Sequence, residues 1–164
     1  MENFNLNLKF ETTNFAIQQR KNFLIKNNIG VCDIVESCER KGLDASDLGM
    51  STIKLRDMNY FLKKYPSVHT LLLTGGNSKN RPEYHLRKQL KEQNIQLIPI
   101  SLETPKIHEF KIETQRVIKV ISLTAPSGAA NRAVGSNPQY KLLKQQKPKF
   151  NTFDFRVLQY KKFF

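Results

Sequence analysis

Cysteine, acidic side chains and long apolar runs are all scarce in this chain of 164 residues. Cys32 and Cys38 are its only cysteines. Two thiols build neither a disulfide framework nor a four-thiolate zinc site, so a reducing, intracellular (cytoplasmic) setting is expected. His69, His85 and His108 are scattered, with no H-E-x-x-H or similar spacing, so neither a metal nor another cofactor is expected. No apolar run is long enough to span a bilayer, so no membrane partnership is expected. The opening MENFNLNLKF has neither the basic start nor the apolar stretch of a secretory leader. G-K-[ST] and G-x-G-x-x-G are absent, which excludes the two common phosphate-loop signatures. G-x-S-x-G is absent too, and with it the hydrolase nucleophile elbow.

Base is what the chain has in excess. Lys and Arg number 27 against 14 acids, giving a formal charge of +13 and a pI near 9.9. Such a domain attracts polyanions, nucleic acid ahead of anionic membrane. A lysine- and asparagine-rich codon usage would raise the charge without any such partner. The excess is uneven. Residues 138–164 carry Lys141, Lys144, Lys147, Lys149, Arg156, Lys161 and Lys162 against the single acid Asp154. Apolar residues make up 39%, enough for one domain, 1–164, with a real core and a basic helical C-terminal segment.

Periodicity sketches the elements. Thr12-Thr13-Asn14 offers N-cap chemistry for a helix over 15–27, with Ala16, Ile17, Phe23 and Leu24 on one side and Gly30 as its stop. Residues 31–35 read as a short strand, 36–51 as a polar connection, and 52–64 as a helix on the spacing of Leu55, Met58, Phe61 and Leu62. A continuous apolar strand covers 68–73, a helix begins at Pro82 and runs to about 93, and strands follow at 95–100 and 117–123. Residues 101–114 read as a surface connection, and helices are expected near 138–145 and from about 152. In the last of these, Phe150, Phe153, Val157 and Tyr160 form the inner stripe. Strands alternating with helices predict an α/β fold with a mainly parallel central sheet, whose ligands bind at the carboxyl ends of strands.

Three such ends carry unusual residues. Asp33 is a carboxylate closing an apolar run, and it is a functional group or a turn cap. Thr74-Gly75-Gly76 closes the second run. After residues 117–123 comes Ala125-Pro126-Ser127-Gly128-Ala129-Ala130, too small to fill a core, with Asn131 and Arg132 behind it. Small residues let backbone N–H groups approach a phosphate, and Ser127 adds a hydroxyl. An ordinary tight β–α turn fits the same residues equally well.

The order of these pieces resembles a known family. Ile29-Gly30-Val31-Cys32-Asp33-Ile34-Val35-Glu36-Ser37-Cys38-Glu39-Arg40 is similar to the second-strand motif of the uracil-DNA glycosylase superfamily, in its mismatch- and hypoxanthine-processing branch. Leu71-Leu72-Leu73-Thr74-Gly75-Gly76 stands where that family has its third strand and glycine turn. Leu123-Thr124-Ala125-Pro126-Ser127-Gly128-Ala129-Ala130-Asn131 resembles its last motif. The resemblance implies a three-layer α/β/α fold and a monofunctional glycosylase that flips uracil or hypoxanthine out of duplex DNA and hydrolyses its bond to deoxyribose. It implies that Asp33 contacts the base and that Thr74, Gly75 and Gly76 form the pocket. Ser127, Gly128, Ala129, Asn131 and Arg132 would hold the DNA backbone.

The family's first strand, its water-positioning loop and its Asn-x-Phe-Trp-like element have no counterpart here, and the chain contains no Trp. The implied gap in the sheet would be filled by residues 1–10 or by a second chain, so self-association joins the expected partnerships. The alternative reading is a catalytically inactive DNA-binding module of the same fold. A nucleotide-binding α/β domain would suit the glycine turns but not the charge.

Overall fold

The computed structural model describes residues 11–40, 42, 47–75, 80–112 and 116–163. Along them run α1 (Asn14–Lys26), β1 (Val35–Arg40), β2 (Met50–Leu55), α2 (Met58–Lys64), β3 (Thr70–Thr74) and α3 (Pro82–Glu92). Then come β4 (Ile98–Ser101), β5 (Lys106–Ile112), β6 (Arg116–Leu123), α4 (Asn131–Ser136), α5 (Pro138–Gln146) and α6 (Thr152–Lys161). Short 3-10 turns occupy Asp47–Gly49 and Gly128–Ala130. Strands β1 and β2 form an antiparallel ribbon, while the main sheet has the order β3-β6-β5-β4. The fold is therefore mixed α/β.

Local chemistry sets the helix ends. Thr13 caps α1 through its side chain, which accepts from the Ala16 N–H. The helix ends at Lys26 with Asn27 as its cap, ahead of Gly30. Asn28 takes a left-handed φ of 54°, and the Ile29 N–H then reaches back to the Leu24 carbonyl. Asn94 ends α3 in the same way, with φ 57° and the Ile95 N–H on the Leu90 carbonyl at 2.8 Å.

Register decides what the main sheet buries. Leu71 and Leu73 of β3 stand beside Val120 and Ser122 of β6, which in turn face His108 and Lys106 of β5. On this face Phe110, Ile112, Ile118 and Val120 are buried with Leu86 and Leu90 of α3 and Met58 and Leu62 of α2. Ile121 and Leu123 point to the other face and are buried near the end of β6. Arg116, at the start of β6, locks α2 to the sheet. Its guanidinium donates to the carbonyls of Leu62 (2.7 Å), Tyr65 (3.1 Å) and Val68, satisfying groups that the end of a helix leaves free.

Several expectations need correcting. No strand covers 31–35: β1 begins at Val35, so Asp33 precedes a strand instead of ending one. The expected helix over 52–64 is split, because the Asp57 carboxylate caps Tyr60 N–H and starts α2 at Met58, leaving Met50–Leu55 to pair with β1. Residues 101–114 contain β5, an inner strand of the sheet. Its charges Glu109 and Lys111 alternate with the buried His108, Phe110 and Ile112. The sheet is mixed where a mainly parallel one was expected, since only β3 and β6 run parallel. In α6 the buried residues are Phe155 and Gln159, and Phe153 is 57% exposed. The capping box of Asn151 and Asp154 fixes that phase.

Arg116→Met should destabilise the protein by about 2–4 kcal/mol, because three carbonyls lose a charged donor. Urea denaturation measures it, and a loss below about 0.5 kcal/mol would show that water replaces the guanidinium at no penalty.

Candidate nucleic-acid interface

The two parallel strands end together. Thr74 lies in register with Leu123, and the Gly75 N–H donates to the Leu123 carbonyl at 3.3 Å. The loop after β3 and the loop after β6 are thereby neighbours. Gly75 is a glycine for a packing reason, since a Cβ there would come within 2.7 Å of Pro82 Cδ at the start of α3. Pro82 in turn lines an open depression of about 260 Å³ together with Asp33, Asp47, Met50 and Asn80. Asp33 therefore shares a depression with Pro82, which packs on Gly75, while neither Thr74, Gly75 nor residues 124–132 line that depression. Gly76 lies outside the described residues.

The described candidate residues are set as follows. Asp33 is exposed, and its Oδ1 accepts from the Val35 N–H at 3.0 Å, the geometry of a turn cap. Pro126, Ser127 and Gly128 are exposed, and the Ser127 side chain makes no capping hydrogen bond. A Cβ on Gly128 would meet nothing within 4 Å, so this loop borders open space. Asn131 and Arg132 are exposed at the start of α4.

Helix α6 holds this loop from behind. Arg156 Nη1 donates to the Ser127 carbonyl at 3.2 Å and to Asn131 Oδ1 at 2.8 Å. Thr124 is held twice, its N–H donating to Gln159 Oε1 at 3.4 Å and its carbonyl accepting from the Tyr160 hydroxyl at 3.1 Å. Burial pushes the Tyr160 phenol above its ordinary value, with the Arg156 charge pulling the other way, so the hydroxyl remains a donor. Composition marked Arg156 only as part of a basic tail. Its spacing from Tyr160, four residues on one helix face, was the signal that could have paired them.

Beneath the loops lies a buried polar network that the sequence did not announce. Glu83 is 5% exposed, and its carboxylate accepts from Ser122 Oγ at 2.7 Å and from Arg87 Nη2 at 3.1 Å. Arg81 approaches the same carboxylate at 3.8 Å. Arg87 also contacts His108 Nε2 at 3.3 Å, and His108 is 2% exposed. Burial pushes the Glu83 carboxyl upward, but the Ser122 and Arg87 hydrogen bonds and the Arg81 and His108 charges prevail and hold it below its ordinary value. Burial likewise pushes His85 and His108 down. The backbone hydrogen bond to Asn80 opposes this in His85, and the Glu83 charge opposes it in His108. Ser122 does not pair with a histidine. It donates to a carboxylate, which stabilises the strand–helix contact without making the hydroxyl a nucleophile.

Among the described residues no three His, Cys, Asp or Glu side chains are grouped to hold a metal, and no helix is long and apolar enough to cross a membrane. Both cysteines are free thiols. No family model matches the chain, and no curated protein or solved structure is significantly similar to it.

The network makes stability fall in two stages as pH drops. His85 and His108 have folded pKa values below their unfolded ones, so the unfolded chain binds protons first and stability declines from about pH 6.5 downward. Glu83 is depressed as well. Its contribution is complete above the unfolded value of about 4.3 and is lost as pH falls through the folded pKa. Denaturation midpoints from pH 8 to pH 3 should show both declines, with Glu83→Gln removing much of the lower one. A midpoint flat between pH 8 and pH 5 would contradict the histidine assignment.

Proposed function

We propose that this chain is a DNA-binding protein of the uracil-DNA glycosylase type, which hydrolyses the N-glycosidic bond of an extruded uracil or hypoxanthine. The observation that carries the reading is the Gly75–Leu123 hydrogen bond, which sets the two resembling loops side by side with Asp33 across Pro82. In this reading the exposed Ser127 hydroxyl and the amides of Gly128 and Ala129 meet the DNA backbone. Asn131 and Arg132 hold the same strand. The second oxygen of Asp33 accepts a ring N–H of the base, and a flipped base fits a depression better than a duplex edge does. Hydrolysis leaves negative charge on the departing base, which a preorganised site stabilises. The lysines of α5 and α6 add affinity that ignores sequence and weakens with salt. The sheet, with α2 and α3 against one face and α6 at the end of β6, is read as the three-layer α/β/α arrangement of that superfamily. Among the described residues β3 pairs only with β6, so its other edge is available to the inner strand that the resemblance implies.

One observation favours the second reading, a catalytically inactive DNA-binding module. Asp33 is exposed and already serves as a turn cap, whereas a base-excision site is dry.

A base-release assay on uracil- and inosine-containing duplexes, in which alkali cleaves the abasic sites that are formed, separates the two. Under the first reading the chain releases base, and Asp33→Ala lowers the rate by at least about tenfold while duplex affinity is kept. Arg132→Ala should reduce the slope of log K against log salt by about one. Binding without any excision selects the inactive module, and absence of DNA binding sinks both.

A further inference from the structure

A second depression, of about 300 Å³, opens between β2 and α3 beside the one that Asp33 lines. Met50 and Asn80 border both, so the two depressions adjoin. The second compartment has a braced wall. Asn80 sits at φ 66° and donates Nδ2 to the Asp47 carbonyl at 3.0 Å, and the buried His85 imidazole borders the same compartment. The Tyr84 ring meets that imidazole edge-on, with centroids 5.4 Å apart, and remains 44% exposed. Lys88, four residues along α3, borders the same compartment. Its ammonium meets Glu92 at 3.9 Å, a solvated pair of little strength. Across the compartment, Thr52 holds φ 46°, an unusual value for a β-branched residue, with its hydroxyl on Glu39 Oε2 at 2.7 Å.

A fixed aromatic face with a cation one helical turn away is complementary to a planar ring carrying a phosphate. We propose that this compartment takes the nucleotide next to the extruded one, its base stacked on Tyr84 and its phosphate at Lys88. This rests on the DNA reading above and deepens it. Asp33 lies in the first compartment, and the shared Met50–Asn80 border carries a continuous strand into the second. A base lying on Tyr84 has left the duplex stack. The groove therefore favours DNA that is unpaired over two adjacent nucleotides.

Anisotropy of a labelled oligo-dT and of a duplex of equal length, with the full chain, tests this. Tyr84→Ala should weaken oligo-dT binding about tenfold and leave duplex affinity unchanged, which also reports an intact fold. Tyr84→Phe should bind as the unaltered chain does. Lys88→Ala should lower the oligo-dT salt slope by about 0.7. Undiminished oligo-dT binding by Tyr84→Ala, or equal loss on both substrates, overturns the proposal. The DNA reading survives that result provided that Arg132→Ala still weakens duplex binding. If the unaltered chain binds neither probe, both fall.

Discussion

A carboxylate buried at the first turn of a helix is the constraint on which this molecule turns. Glu83 cannot stay ionised beside the sheet unless Ser122 and the guanidinium of Arg87 satisfy it, with the Arg81 charge close by. Ser122 is near the end of β6, and Arg87 extends the network to His108 on β5. The start of α3 is therefore fixed in position and rotation against two strands. That placement puts Pro82 against Gly75 and turns Tyr84 and His85 toward the groove beside β2. Leu86 and Leu90 supply the apolar attraction, which is strong but indifferent to small rotations. The buried charge supplies the register.

The second fixed body is α6. Arg156, Gln159 and Tyr160 lie within five residues of one another and hold Ser127, Asn131 and Thr124. A loop of small residues has little packing of its own, so its shape comes from these outside contacts. The small residues leave open space in front of the loop while the helix fixes its back. Access and rigidity thus come from different parts of the chain.

Much of this was legible in the residues. Thr13 announces a helix start through capping chemistry and Pro82 through its fixed φ, and the run Leu71-Leu72-Leu73 announces a strand by apolarity alone. Of the three segments singled out for function, the second and third meet through the Gly75–Leu123 hydrogen bond, and Asp33 lines a depression with Pro82. Other features were hidden for identifiable reasons. The charges of Glu109 and Lys111 masked β5, although a charge at every second residue suits a sheet with one solvated face. Leu55 and Met58 fit a helical spacing by coincidence, across a boundary that the Asp57 cap creates. Neither Glu83 nor His108 could be recognised as buried, because their burial depends on partners 39 and 21 residues away in sequence. Asp33 was expected at the end of a strand and stands before one, since β1 starts two residues after it.

The connectivity of the main sheet has a consequence for how the interface is assembled. Strands β4, β5 and β6 form a meander whose pairings are short in sequence, whereas β3 meets β6 across α3, β4 and β5. Closing that long segment carries the larger loss of chain entropy, and the gain comes from one pair of short strands. The two loops of the interface sit at the end of that pair. The candidate interface thus sits at the end of the pairing that joins the most distant strands of this sheet in sequence.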